Sequence, residues 1–410
     1  TTEIYTLSLH DALPISESTL QHHGLHALHV LRYLGDQDLV NVNAPDVVYF
    51  SMPALGLFVY QVTWVKWISA GLIILFILAL SAMHRSNVRL SGALIGTGIS
   101  IVGASLAFGF ALLLLSWLPR FHPEAGSLQG SLYHREGWYV IALAAAAFTI
   151  VTGLHALARK WLSIQQLALG ALVVPFMGAI LLGYTAPLAA MNLEWPVAAA
   201  LMSVFWMTVM GERTTEILGW SLAVLFSVPV LSFFVPVAEL LWIAMTFEFA
   251  PWLAVLIVIG LYLCLPALDS VLRSNRWWGP TGGLIAVGAA LGFGILNSQT
   301  TAERPAPSTL VYAYEHGTPE ALWATAPVLD TLDLPAREWA VERTGSAFGL
   351  MRDLSIFGYD FGAVPAAVAP AVDAPEPVII IETDITIGDI RRVIIGVRSR
   401  IGSERLRFQY

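Results

Sequence analysis

Four histidines crowd one short stretch of this 410-residue chain: His22, His23, His26 and His29. Three of them, His22, His26 and His29, stand at i, i+4 and i+7, so a helix would carry them on one face, where imidazoles can share a metal ion. A hydrolytic zinc helix of the HExxH kind also sets an acidic residue among its ligands, and none stands at that spacing here. The plainer reading, a polar face on an amphipathic helix, is preferred. Elsewhere the groups that do chemistry are scattered. His155, Glu194, Glu239 and Asp269 all fall near the ends of apolar blocks. A charge at bilayer depth usually marks an ion or proton pathway, but these form no row, which weakens a coupled transporter. Cys264 is the single cysteine, so there is neither an internal disulfide nor a cysteine-based metal cluster. Towards the C-terminus Asp353, Asp360, Glu382 and Asp384 read as solvated strand or loop residues, with no activated Ser or Cys and no glycine-rich phosphate loop beside them. No catalytic, cofactor-binding or metal-binding residue is assigned.

The first fifteen residues, TTEIYTLSLHDALPI, need separate treatment. They lack the basic n-region and continuous apolar h-region of a signal peptide. The string resembles, codon by codon, the translation of a common sequencing adapter, so residues 1–15 are expected to be an artefact and the gene to continue upstream. The pair His10–Asp11 therefore carries no catalytic meaning.

The elements that would position any site are set by composition. The chain is 57% apolar and only 12% charged, with a mean hydropathy of +0.70, whereas a soluble domain carries roughly 25% charge. Apolar blocks run at about 63–83, 92–118, 138–157, 165–186, 193–210, 218–236, 251–268 and 281–297. Each is close to the 20 or so helical residues that cover a hydrocarbon core of about 30 Å. Tryptophans such as Trp64, Trp117, Trp161, Trp252 and Trp278 sit at block ends, as interfacial rings do. The expectation is about eight membrane-spanning helices over residues 45–300, with the lipid bilayer as partner. A net charge of −8 argues against nucleic acid. Residues 237–250, VAELLWIAMTFEFA, leave open a ninth span, although Glu239 and Glu248 favour an interfacial hairpin. Pro175, Pro187, Pro229 and Pro236 are candidate kinks, and small residues such as Gly92, Gly96 and Gly103 suit close helix packing.

Loop charge gives an orientation. The loops after spans one, three, five and seven carry Arg85 and Arg89, Arg159 and Lys160, Arg213, and Arg273 and Arg276. The positive-inside rule puts them in the cytoplasm, and an even number of spans puts both ends outside. Flanking this region, Leu20, Leu25, Leu28, Leu31 and Leu34 recur at helical spacing after a Ser18–Gln21 capping-box pattern, with Gly35 as terminator. This amphipathic helix has no evident partner. Residues 45–62 read as an extended lead-in, and 364–377 as a Pro/Ala-rich connector. Between about 301 and 410, runs such as STLVYAYEH, EALWATA, PVIIIETDITI, IRRVIIGVRS and ERLRFQY predict an antiparallel β domain, sandwich-like.

Three segments, in order, resemble one family: STLQHHGLHALHVLRYLGDQDL (18–39), DVVYFSMPALGLFVYQVTW (46–64) and STLVYAYEHGTPEALWAT (308–325). Together they are similar to the membrane-embedded branch of the M28 zinc peptidases, which includes the endoplasmic reticulum metallopeptidases and vacuolar membrane proteases. The resemblance implies an extracytoplasmic aminopeptidase-like domain, then a polytopic membrane region, then a β-rich domain. Residues 16–44 would be the terminal helix of the peptidase domain. The family's two zinc ions, its general-base Glu and its peptide substrates belong to the full-length protein, and the ligands would lie upstream of Ser16. None of those functional residues maps onto this chain, which departs from the family at Ser51, where an acidic residue is usual. By resemblance the reading is thus a zinc metallopeptidase (a hydrolase) represented by a fragment without its catalytic centre. A transporter or channel with a β-rich accessory domain and a non-catalytic membrane scaffold stand as alternatives.

Overall fold

A computed structural model describes residues 2–7, 17–35, 45–52, 56–122, 136–210, 216–245, 247–297, 310–315, 321–325, 350–356, 359–370, 378–387 and 390–398. The chain divides into two compact units, one holding the apolar helices and the other Thr301–Tyr410 with Thr1–Ala27 and Pro123–Leu128.

In the helical unit, seven helices are long and apolar enough to cross a bilayer. Their α-helical parts are α2 (Val65–Arg85), α3 (Ser91–Trp117), α4 (Gly137–Ala158), α5 (Ile164–Thr185), α6 (Pro187–Met210), α7 (Glu216–Met245) and, last in the chain, Trp278–Asn297. Many of their Leu, Ile and Val side chains, with Trp67, Trp161 and Trp278, are exposed, which is what a surface solvated by lipid tails requires. This is a multi-pass membrane protein. Residues 237–245, expected as a hairpin or a ninth span, are neither. They continue α7, because Pro229 and Pro236 sit within that helix without ending it.

Between α7 and the final helix lies a broken pair, α8 (Ala250–Leu263) and α9 (Leu265–Val271), bent by 70°. The sequence read residues 251–268 as one straight span. Pro266 marks the break: it stands in the first turn of α9, where its ring is tolerated. The pair nevertheless covers a full bilayer depth. At its start Phe247 lies 6.1 Å from Tyr139, in the first turn of α4. At its end Asp269 accepts a hydrogen bond from Arg159, just past the last turn of α4, at 2.9 Å. Tyr139 and Arg159 are 20 residues apart on one helical path, about 30 Å, so α8–α9 crosses rather than turns back. With the final helix named α10, the bundle counts seven long apolar helices and the bent pair α8–α9.

Other close contacts fit that alternation. Trp138 of α4 stacks on Phe293 near the end of α10, while Gly279 and Gly283 at the start of α10 pack against Thr152 and Thr149 late in α4. Trp242, late in α7, meets Glu136 at the start of α4. Ser86, after α2, donates to Thr208, late in α6. His84, Arg85, Arg89, Arg159, Lys160, Arg273 and Arg276 therefore gather at one end of the bundle, the arginine end. The opposite end carries a hairpin, β2 (Val47–Met52) and β3 (Gly56–Gln61), antiparallel from Val47↔Gln61 to Met52↔Gly56. The expected lead-in is thus a paired ribbon.

Glycine sets the tightest crossing. A Cβ on Gly170 of α5 would run into the Ala93 carbonyl and lie 2.7 Å from Thr97 N of α3. The bare backbone lets Thr97 Oγ1 donate to Gly170 O across the interface at 2.9 Å. Ser163 caps α5 in a full capping box with Gln166, and the Gln166 amide reaches over to Arg89 O at 2.8 Å. The same S-x-x-Q spacing at Ser18–Gln21 does not mark a helix start: α1 (Glu17–Gly35) already includes Ser18.

The second unit contains a sheet of order β1-β4-β5-β7-β6, all neighbours antiparallel, and a separate hairpin, β8 (Val378–Ile387) with β9 (Ile390–Arg398). Strands β4 (Leu310–Glu315) and β5 (Ala321–Thr325) fall where the sequence predicts them. Residues 364–369, expected in a connector, instead end β7 (Tyr359–Ala369), between β5 and β6 (Leu350–Ile356). Pro365 lies opposite Met351 of β6 and just beyond the β5 ladder, which begins at Ala366. Ala366 and Ala367 are fully buried there. The residues read as adapter-derived also contribute: β1 (Thr2–Leu7) runs along the edge of β4. Alternating Ile4 and Thr6 with Tyr5 make a β-prone segment, and an open strand edge accepts any such segment. The expected strand ERLRFQY lies outside the described residues.

Candidate functional site

Two buried carboxylates stand out in the bundle. Near the hairpin end, in the second turn of α6, Glu194 has no exposed surface. Its Oε1 accepts a hydrogen bond from Ser69 Oγ of α2 at 2.6 Å. Gly183 of α5 leaves room for both groups, since a Cβ there would collide with Ser69 Oγ and lie 3.2 Å from Glu194 Oε1. Glu194 Oε2 is buried with no hydrogen-bond partner, and so is the Tyr60 hydroxyl of β3. Tyr60 lies beside the Trp195 indole and the Glu194 carboxyl, yet neither meets hydrogen-bonding geometry. Burial pushes the Tyr60 phenol above its ordinary value of 10.0.

The hairpin covers this site. Val48 of β2 is buried against Val65 and Ala190, with Tyr60, Val62 and Leu182 around them. Phe50 lies 4.9 Å from Phe233 of α7 and 6.0 Å from Trp195 of α6. Nothing local in the sequence pairs Ser69 with Glu194, which are 125 residues apart.

The second carboxylate sits at the arginine end. Asp269 Oδ1 meets His155 Nε2 at 2.8 Å and accepts from Arg159 Nε at 2.9 Å. Arg159 Nη1 also donates to Leu162 O at 2.9 Å. His155 is almost fully buried and its Nδ1 makes no hydrogen bond. This cluster ties the short helix α9 to the end of α4. A smaller polar group marks the other end of α4: Trp242 Nε1 donates to Glu136 Oε1 at 2.9 Å, and His122 Nε2 meets the Tyr139 hydroxyl at 2.5 Å. Burial raises the Glu136 carboxyl above its ordinary 4.5.

The histidine face of α1 offers less. His22 and His26 rings are 4.2 Å apart and, with His29, exposed. Among the described residues no group of three or more His, Cys, Asp and Glu side chains could hold a metal ion. Leu25, Leu28, Leu31 and Leu34 of the same helix are all exposed. Glu239 is exposed on α7, while the side chains of Asp353, Asp360, Glu382 and Asp384 lie outside the described residues.

No protein-family model matches this chain, and neither a curated protein nor a solved structure matches it.

Proposed function

We propose that this chain is the membrane region and C-terminal β-rich part of a membrane-bound M28-type zinc-dependent aminopeptidase, with its zinc ligands supplied by residues outside this sequence. The observation that carries the reading is the order of parts. Residues 18–35 of the first segment lie on a helix whose Leu25, Leu28, Leu31 and Leu34 are exposed, as leucines of a peptidase domain's last helix would be without the rest of that domain. Strands β2 and β3 of the segment 46–64 pair as the hairpin leading into an eight-crossing bundle, and β4 and β5 of 308–325 pair in the sheet that follows. The positive-inside rule places the arginine end in the cytoplasm, so the hairpin and the β-rich domain, sandwich-like over 301–410, face the extracytoplasmic side. Peptide substrates would meet the upstream domain there, and the bundle would hold it at the membrane.

A transporter would draw on the broken span and on Glu194. Transporter sites converge near the bilayer midplane, whereas the break lies by the arginine end and Glu194 by the hairpin end, so the peptidase reading is preferred. The test is the coding sequence upstream of Ser16, which should contain an HxD motif followed by a Glu-Glu pair within a few hundred residues. An upstream region lacking both would overturn the proposal, as would chelator-sensitive peptide hydrolysis by the purified chain alone.

A further inference from the structure

Glu194 and Tyr60 present two polar atoms that burial has stripped of water and that the protein leaves unsatisfied. An ionised carboxylate in that position would be costly, because nothing compensates its charge. Among the described residues no cation pairs with it. Lys66 on α2 is exposed, Tyr184 on α5 is exposed, and Glu239 on α7 is exposed and acidic. Tyr262 of α8 is turned to Gly103 of α3. From the described hairpin residues Tyr60 faces the carboxyl. A bound metal cation is disfavoured, since hard cations in proteins take about six oxygens and only two here are uncommitted.

We propose that Glu194 is a proton-binding site, holding the neutral acid while the β2–β3 hairpin is seated over it, and that loss of the proton unseats the hairpin. The coupling follows from geometry. A carboxylate at Glu194 needs water, and the route for water is closed by Tyr60, Val48 and Phe50. Opening that route means lifting a two-stranded ribbon, which by itself is marginally stable and is held by these few apolar contacts. If the seated state binds the proton better, the proton must favour seating by the same factor. The site would report extracytoplasmic acidity to whatever segment the hairpin joins to the membrane. This inference stands independently of the peptidase reading, because it concerns the bundle alone.

The test uses the whole chain in lipid nanodiscs. Infrared difference spectra at neutral pH should show the carbonyl stretch of a protonated carboxylic acid in the parent protein, lost in Glu194→Gln and shifted in Tyr60→Phe. Hydrogen exchange over residues 47–61, corrected for intrinsic rates, should lose protection with rising pH in the parent by up to about tenfold per pH unit, the one-proton limit. In Glu194→Gln, which mimics the neutral acid, protection should stay high and flat. A parent spectrum without the band, or a Glu194→Gln protein with the parent's pH dependence, would overturn the proposal. So would protection that follows sodium concentration instead of pH. Should Glu194→Gln not fold, an unshifted band in Tyr60→Phe overturns it equally.

Discussion

The two ends of the bundle solve the same problem differently. At the arginine end Asp269 is held by the Arg159 guanidinium and the His155 ring, both within 2.9 Å. At the hairpin end Glu194 has a serine hydroxyl on one oxygen and nothing on the other. A carboxylate beside a guanidinium that donates to it is most stable with its charge, whereas one in apolar surroundings with a single neutral donor is most stable without it. The first arrangement fixes structure, here the bent helix α9 against α4. The second leaves a group whose protonation can change.

Substitutions can break that contrast, beginning with the largest expected effect. Asp269→Ala removes the acceptor and strands Arg159 and His155. It should cost about 3 kcal/mol, the lower end for a broken buried pair because Asp269 and Arg159 keep some exposure. Thermal unfolding in nanodiscs measures it, and an unchanged midpoint would mean that the cluster does not hold the broken span. Glu194→Ala should cost about 2 kcal/mol, through the void and the orphaned Ser69 hydroxyl, while Glu194→Gln should stay below about 1 kcal/mol. Equal damage from the two would put the two ends of the bundle on the same footing. A smaller, pH-dependent effect is expected at Glu136. Its carboxyl is raised by burial, so the folded state binds the proton more tightly than the unfolded state. The stability it contributes is complete below about 4.5 and is lost as pH rises through the raised value. Glu136→Gln should therefore unfold at the parent's temperature at pH 4 and up to a few degrees above it at pH 8. A constant difference across that range would contradict the assignment.

Much of the bundle was legible in the sequence. Hydropathy places the seven long apolar helices and the bent pair, because lipid demands an apolar run from each. Proline was a poorer guide. Pro175, Pro196, Pro229 and Pro236 all lie inside continuous helices, and the break comes at Pro266. What differs there is the segment after the proline, anchored through Asp269 to α4, a contact across 110 residues that no local pattern reports. The candidate sites were legible only in part. His155, Glu194 and Asp269 are conspicuous as ionisable residues near span ends, but Ser69, Tyr60 and Arg159 become partners through packing alone. The β7 strand was missed because Pro365 and a run of alanines resemble a linker, and alanines bury well only where a neighbouring strand lies close.

The topology is the claim on which both readings of the bundle depend, and the broken span is where it can fail. In a Cys264→Ala background, single cysteines at Glu248 and Ser274 flank α8–α9, and one at Gln61 reports the hairpin end. Labelling sealed vesicles with a membrane-impermeant maleimide should modify Glu248→Cys and Gln61→Cys from one side and Ser274→Cys only from the other. Labelling of Glu248→Cys and Ser274→Cys from the same side would make α8–α9 a re-entrant turn, leave seven crossings, and contradict the account.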